Sequence, residues 1–188
     1  MTDIDSLRRR EGFAFLVLFA ASVPAANWLI QNIGTFCVPK GPCLIPVAPG
    51  LTAPSGVLLV GVALVLRDLV QRRLGVLWAI GAIVAGGLLS ALFAPPALVV
   101  ASVAAFLLSE LTDLAVFTPL QRRGLLIAAV ASSLVGLVVD SIVFLWLAFG
   151  GLQFLAGQVI GKALMVLLAV PVLIWLRNRD ARLGITAA

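Results

Sequence analysis

Histidine is absent from this 188-residue chain. That removes imidazole as a general base and takes away the commonest ligand of transition metals. Charge is scarce as well: only 11% of residues are Asp, Glu, Lys or Arg, against roughly 25% in soluble domains. The two cysteines, Cys37 and Cys43, are too few for a zinc or iron-sulfur site within one chain. No glycine loop followed by Lys and Ser or Thr is present to cradle a phosphate, and no recognisable Ser or Cys nucleophile motif with its base is found. A familiar ATPase or hydrolase is thereby excluded, and the chain is expected to be no enzyme and to need neither cofactor nor metal.

What fills the chain instead is apolar. Hydrophobic residues make up 62%, with a mean hydropathy of +1.19, the composition of an integral membrane protein. Apolar runs of about 18 residues or more recur to the end and leave no stretch for a soluble domain. Six spans are expected, over 12–30, 53–69, 76–93, 97–117, 125–149 and 152–176, within a single transmembrane domain covering 1–188. Their length predicts helices, because barrel strands would alternate polar and apolar residues over much shorter segments. The fold class is therefore all-α. The first run follows Arg8, Arg9 and Arg10 as a secretory leader would, yet it contains Pro24 and leads directly into further membrane sequence; it reads as a retained helix, with cleavage as the rival. Thr52, Ala53 and Pro54 read as the capped start of the second helix.

The net charge of +5 does not signal a nucleic-acid partner, because the basic residues lie in short clusters between apolar runs. Arg8–Arg10, then Arg67, Arg72 and Arg73, then Arg122 and Arg123, then Arg177, Arg179 and Arg182 all fall on one side of a six-span topology; the opposite loops hold only Lys40. Both termini are expected in the cytoplasm of a bacterium, with the protein multi-pass in its inner membrane. Trp28 and Trp146 near the outer ends of their spans, and Trp78 and Trp175 near the inner ends, agree as an aromatic belt. The single long loop, from Gly34 to Thr52, lies outside and is placed to cover a site from that face. There Cys37 and Cys43 either close a short disulfide loop or remain two unpaired thiols.

Several charges interrupt the apolar spans, each at a cost on the order of 3 kcal/mol on insertion scales. Glu110 and Asp113 share one helix face and lie roughly 20 to 24 Å from the outer end of the fourth span, Asp113 being also readable as a frayed end that reaches water. Asp140 lies about 14 Å and Lys162 about 15 Å below the outer ends of neighbouring antiparallel spans. Opposite charges at equal depth on adjacent helices are expected to pair. The pair either fixes helix register alone or lines a polar cavity that admits a ligand. Asp68 and Arg72, four residues apart, fit a helical ion pair at the cytoplasmic surface, with gating as the functional alternative. Asn27, Ser109 and Gln158 are weaker polar intrusions, and Gly157 with Gly161 reads as close helix packing.

Taken together and in order, Asn27 in AANWLI, the segment from TAPSG to RDLVQRRLG, SELTDLAVF, VVDS and GKALMVLL resemble the vitamin uptake transporter (VUT) family, whose YhhQ-type members import queuosine precursors. The resemblance implies a six-helix inner-membrane importer of 7-deazaguanines such as preQ0 and preQ1, acting in tRNA-modification salvage. It carries Asn27, Asp68, Arg72, Glu110, Asp113, Asp140 and Lys162 over as functional positions. It also implies a likeness to the substrate-binding subunits of energy-coupling-factor importers, which dock a partner through small residues such as Ala21 and Ala25 here. The chemistry agrees: a 7-deazaguanine (7-deazapurine) presents a ring N–H beside an amino group for a carboxylate, while its carbonyl takes a donor such as Lys162 or Asn27. The expected partners are that small molecule and the lipid bilayer; a homodimer is left open. The rival readings are a capture subunit for an ATP-driven vitamin importer and a membrane scaffold whose charges are purely structural.

Overall fold

A computed structural model describes residues 3–39 and 41–185. Lys40, used above as the sole basic residue of the opposite loops, lies outside the described residues. Six α-helices run through them: α1 (Asp3–Asn32), α2 (Val57–Leu74), α3 (Val76–Phe93), α4 (Val99–Leu120), α5 (Leu125–Phe149) and α6 (Leu155–Leu183). The connections are short. Gly75 alone joins α2 to α3, and its φ of 94° allows the chain to reverse in one residue. A single turn at Pro96–Leu98 precedes α4 and another at Gln121–Arg123 follows it. Five helices are long and apolar enough to cross a membrane. The sixth, α2, is not, since Arg67, Asp68, Arg72 and Arg73 all fall within its 18 residues.

The bundle is apolar outside and charged within. Leu77, Leu92, Val100 and Leu168 are each more than two-thirds exposed, whereas Arg67, Asp68 and Asp113 are completely buried. Such an inversion suits hydrocarbon surroundings, where no water competes for the surface. α2 runs through the middle, packed against α1, α3, α5 and α6. Leu64, Leu69, Phe117, Leu137 and Leu173, drawn from α2, α4, α5 and α6, form the main apolar cluster around it.

Several expectations are corrected here, the all-α fold class among them, since the mostly helical chain also carries strands. The stretch from Gly34 to Thr52 is no open loop: β1 (Phe36–Cys37), β2 (Cys43–Ala48) and β3 (Leu51–Pro54) form a small antiparallel sheet with β2 in the centre. Thr52, Ala53 and Pro54 consequently belong to a strand, Leu44 pairing with Pro54 and Ile45 with Ala53, and α2 begins at Val57 rather than Ala53. Ser55, next in line to cap the helix, instead donates its hydroxyl to Leu29 O on α1 at 2.8 Å. The fourth helix likewise starts at Val99, and the sixth occupies Leu155–Leu183 rather than 152–176. Of the two alternatives for the thiols, the disulfide is found, Cys37 to Cys43, across the β1–β2 pair.

The sheet covers one end of the bundle, where α1, α3 and α5 finish and α2, α4 and α6 begin. Gly157 makes this contact close: a Cβ there would collide with Thr52 O of β3. The other end collects the arginines. Glu11 of α1 accepts from Arg73 at 2.9 Å and from Arg179 at 2.6 Å, and Asp180 of α6 accepts from Arg73 at 2.8 Å and Arg72 at 3.2 Å.

Candidate functional site

Below the sheet lies a cavity of about 90 Å³ reached by all six helices. α1 contributes Ser22 and Asn27 on either side of Pro24, where the ring removes one backbone donor and loosens the helix. Asn27 Nδ2 donates back to Val23 O at 3.0 Å, and Ser22 Oγ to Phe19 O at 2.7 Å. Asn27 lines the cavity, and no hydrogen bond to its side-chain oxygen is found among the described residues. α4 brings Ser109 and Glu110, α5 brings Asp140 and Phe144, and α6 brings Gln158 and Lys162 one turn apart. Apolar walls from Val57, Val60 and Phe106 complete it.

Lys162 is the organising cation on the α6 side. Its Nζ lies 2.5 Å from Asp140 Oδ2 and 2.9 Å from Ser141 Oγ, and it also donates to Gln158 Oε1. An ammonium has three N–H bonds, and all three are used. Lys162 lines the cavity, and for it to donate to a ligand carbonyl, as the sequence reading offered, one of these three bonds has to be released. Asp140 keeps its second oxygen.

Glu110 belongs to the cavity and to a second cluster beneath it. Its Oε2 accepts from Arg67 Nε at 3.1 Å. Arg67 is the centre of that cluster: Nη2 lies 2.8 Å from Asp113 Oδ2, and Nη1 lies 2.9 Å from Asp68 Oδ1 and 3.0 Å from Gln71 Oε1. Its guanidinium also stands over the Phe117 ring, 5.8 Å from the centroid. Ser132 donates to Asp68 Oδ2 at 3.1 Å, and Gln71 passes the network on to Thr118 at 3.0 Å. One buried guanidinium thus faces three carboxylates, an arrangement that holds only while every partner stays in place.

Three sequence-based assignments change. Asp113 is no frayed end open to water; it is fully buried behind Arg67 and does not line the cavity. Asp68 does not pair with Arg72: it pairs with Arg67, while Arg72 reaches Asp180, 108 residues away. Arg67, grouped above with the orienting arginines, lies in the interior instead. Its signal was present in the spacing, since Val60, Leu64, Arg67 and Gln71 repeat at helical intervals and put Arg67 on the inward stripe of α2. Gln158 and Ser141 were likewise underweighted, because uncharged side chains do not stand out in an apolar span.

Five helices of membrane-crossing length make the chain a multi-pass membrane protein. Neither curated proteins nor solved structures show a match. The family described as "Putative vitamin uptake transporter" matches residues 74–176, a range that contains Glu110, Asp113, Asp140, Gln158 and Lys162 and leaves out Asn27 and Arg67. With more than half of its length so matched, and with a polar cavity enclosed by membrane helices, the chain belongs to the vitamin uptake transporter family.

Proposed function

We propose that the protein imports queuosine precursors, 7-deazaguanines such as preQ0 or preQ1, across a bacterial inner membrane. All six helices span, the arginine end faces the cytoplasm and the sheet faces outward, so that a solute enters from beneath the sheet. One observation carries the reading: Glu110 and Asp140 each commit one oxygen to a cation of the protein and keep the other without a protein partner, at the edge of a largely apolar cavity. In the ionised carboxylates those two oxygens only accept. A flat heterocycle with an N–H beside an amino group supplies the donors they lack, and Phe106 and Phe144 offer faces for its ring. Asn27 adds a further acceptor. Asp113, Asp68 and Arg72 serve at a remove, by holding Arg67 and the arginine end.

The test is uptake in cells unable to make the precursor, read as queuosine in tRNA after supplying preQ0, preQ1 or queuine. At least one compound restores queuosine with the parent protein, and Glu110→Gln or Asp140→Asn lowers uptake by about tenfold or more, since a lost acceptor leaves a buried donor unpaired. No restoration by any of the three, with protein present in the membrane, removes the substrate assignment. Uptake into vesicles that contain this protein alone separates a self-sufficient importer from a capture subunit of an ATP-driven one.

A further inference from the structure

The hydrogen bonds around Lys162 have a fixed sense. Lys162 only donates, and it gives its three protons to Asp140 Oδ2, Ser141 Oγ and Gln158 Oε1. Ser141 spends its own proton on Leu137 O at 2.6 Å and meets Lys162 as an acceptor. Facing a group that cannot accept, the Gln158 amide must present its oxygen to Lys162. Its Nε2 is thereby turned away. That nitrogen has no hydrogen-bond partner among the described residues, and Gln158 is 2% exposed and lines the cavity. Gln158 lines the cavity and its oxygen is held by Lys162, which leaves Nε2 as the amide's free donor there.

A cavity edge with a defined order results: carboxylate oxygens that accept at Glu110 and Asp140, and an amide nitrogen that donates at Gln158. The matching ligand edge carries N–H donors beside a carbonyl-type acceptor. We infer that Gln158 is a specificity-determining residue whose Nε2 donates to a ring carbonyl of the ligand, and that Lys162 is the positioning residue which keeps the amide in that sense. The inference rests on the proposed 7-deazaguanine function, and it assigns the reading of the ring carbonyl to a residue other than the cavity's charged ones.

The experiment measures the affinity of the detergent-purified, full-length protein for two ligands that differ at one position. They are preQ0 and its counterpart with a thiocarbonyl in place of the ring carbonyl, which keeps the ring N–H and the amino group and weakens only the acceptor. The parent binds preQ0 more tightly, by about 10-fold, because sulfur is the poorer acceptor for the amide N–H. Gln158→Glu retains an oxygen for Lys162 and replaces the donor with an acceptor that opposes the carbonyl; its preference for preQ0 is lost. Gln158→Met, whose folding does not depend on accommodating a further buried carboxylate, also loses the preference, a change that a purely structural role would not produce. If both variants fold, shown by unliganded thermal transitions near the parent's, and keep the parent's ratio, the inference is overturned while the proposed function stands. If the parent binds neither compound, the two fall together.

Discussion

Asp140 and Lys162 are separated by 22 residues and joined at 2.5 Å, with Lys162 1% and Asp140 8% exposed. Desolvating two charges is repaid here only because each has the other, and Ser141 and Gln158 satisfy the remaining protons. Removing one partner strands the second. Asp140→Asn and Lys162→Met are each expected to lower stability by about 3 to 5 kcal/mol, whereas the double substitution regains most of that loss. Thermal unfolding of the four proteins in one detergent measures the coupling; equal stability of parent and both single variants would remove it. Equal depth on adjacent spans made this meeting legible in sequence. Arg67 was hidden for the opposite reason, since it stands within RDLVQRR and looks like one more orienting cation. Its three carboxylates come from its chain neighbour Asp68 and from α4, and only the packing of α4 against α2 brings Glu110 and Asp113 to it.

Among the elements, the helices were the easiest to read, because hydrocarbon demands long apolar runs and the runs are written in the composition. The sheet was not legible. Strands β2 and β3 carry Pro46 and Pro54, residues that argue against a strand, and their pairing joins positions as far apart as Leu44 and Pro54. What holds the sheet to the bundle is an absence of side chain on α6. A Cβ at Gly157 would strike Thr52 O, and one at Gly161 would come within 3.0 Å of Val47 and Val57. Backbone cannot step aside as a flexible side chain does. Gly157→Val is therefore expected to displace β3 and to cost about 1 to 3 kcal/mol, whereas Gly81→Val, where a Cβ meets nothing within 4 Å, leaves the thermal transition within about 0.5 kcal/mol of the parent. Similar losses at both positions would show that the contact between sheet and helix is not what limits stability.

The whole molecule has two unlike ends, one closed by a disulfide-bonded sheet and one by arginines that tie the first, second and last helices together. The excess of basic residues at the second end predicts that it faces the cytoplasm. Single cysteines placed at Arg122 or Arg177, in a protein with Cys37 and Cys43 replaced by serine, are expected to resist an impermeant thiol reagent in intact cells and to react after the membrane is opened. A cysteine at Gly50, in the turn between β2 and β3, should react without that treatment. The reverse pattern would invert the molecule and the direction of entry beneath the sheet.

The polarity of α2 also bears on how the chain is made. Arg67 and Asp68 each oppose entry into hydrocarbon by about 2.5 to 3.5 kcal/mol near the centre of a helix, and 18 residues that also hold Arg72 and Arg73 have too few apolar neighbours to offset them. Apart from Glu11 and the pairing of Arg67 with Asp68 and Gln71 inside α2, the compensating groups lie later in the chain: Glu110 and Asp113 on α4, Ser132 on α5, Asp180 on α6. On the proposed six-span topology, α2 waits during synthesis beside the translocon, or at the bilayer surface, until its counterions emerge. A chain truncated and released after residue 75 should therefore leave α2 accessible to aqueous reagents, and one released after residue 125 should not; the last helix to be translated sets the final lock on the second.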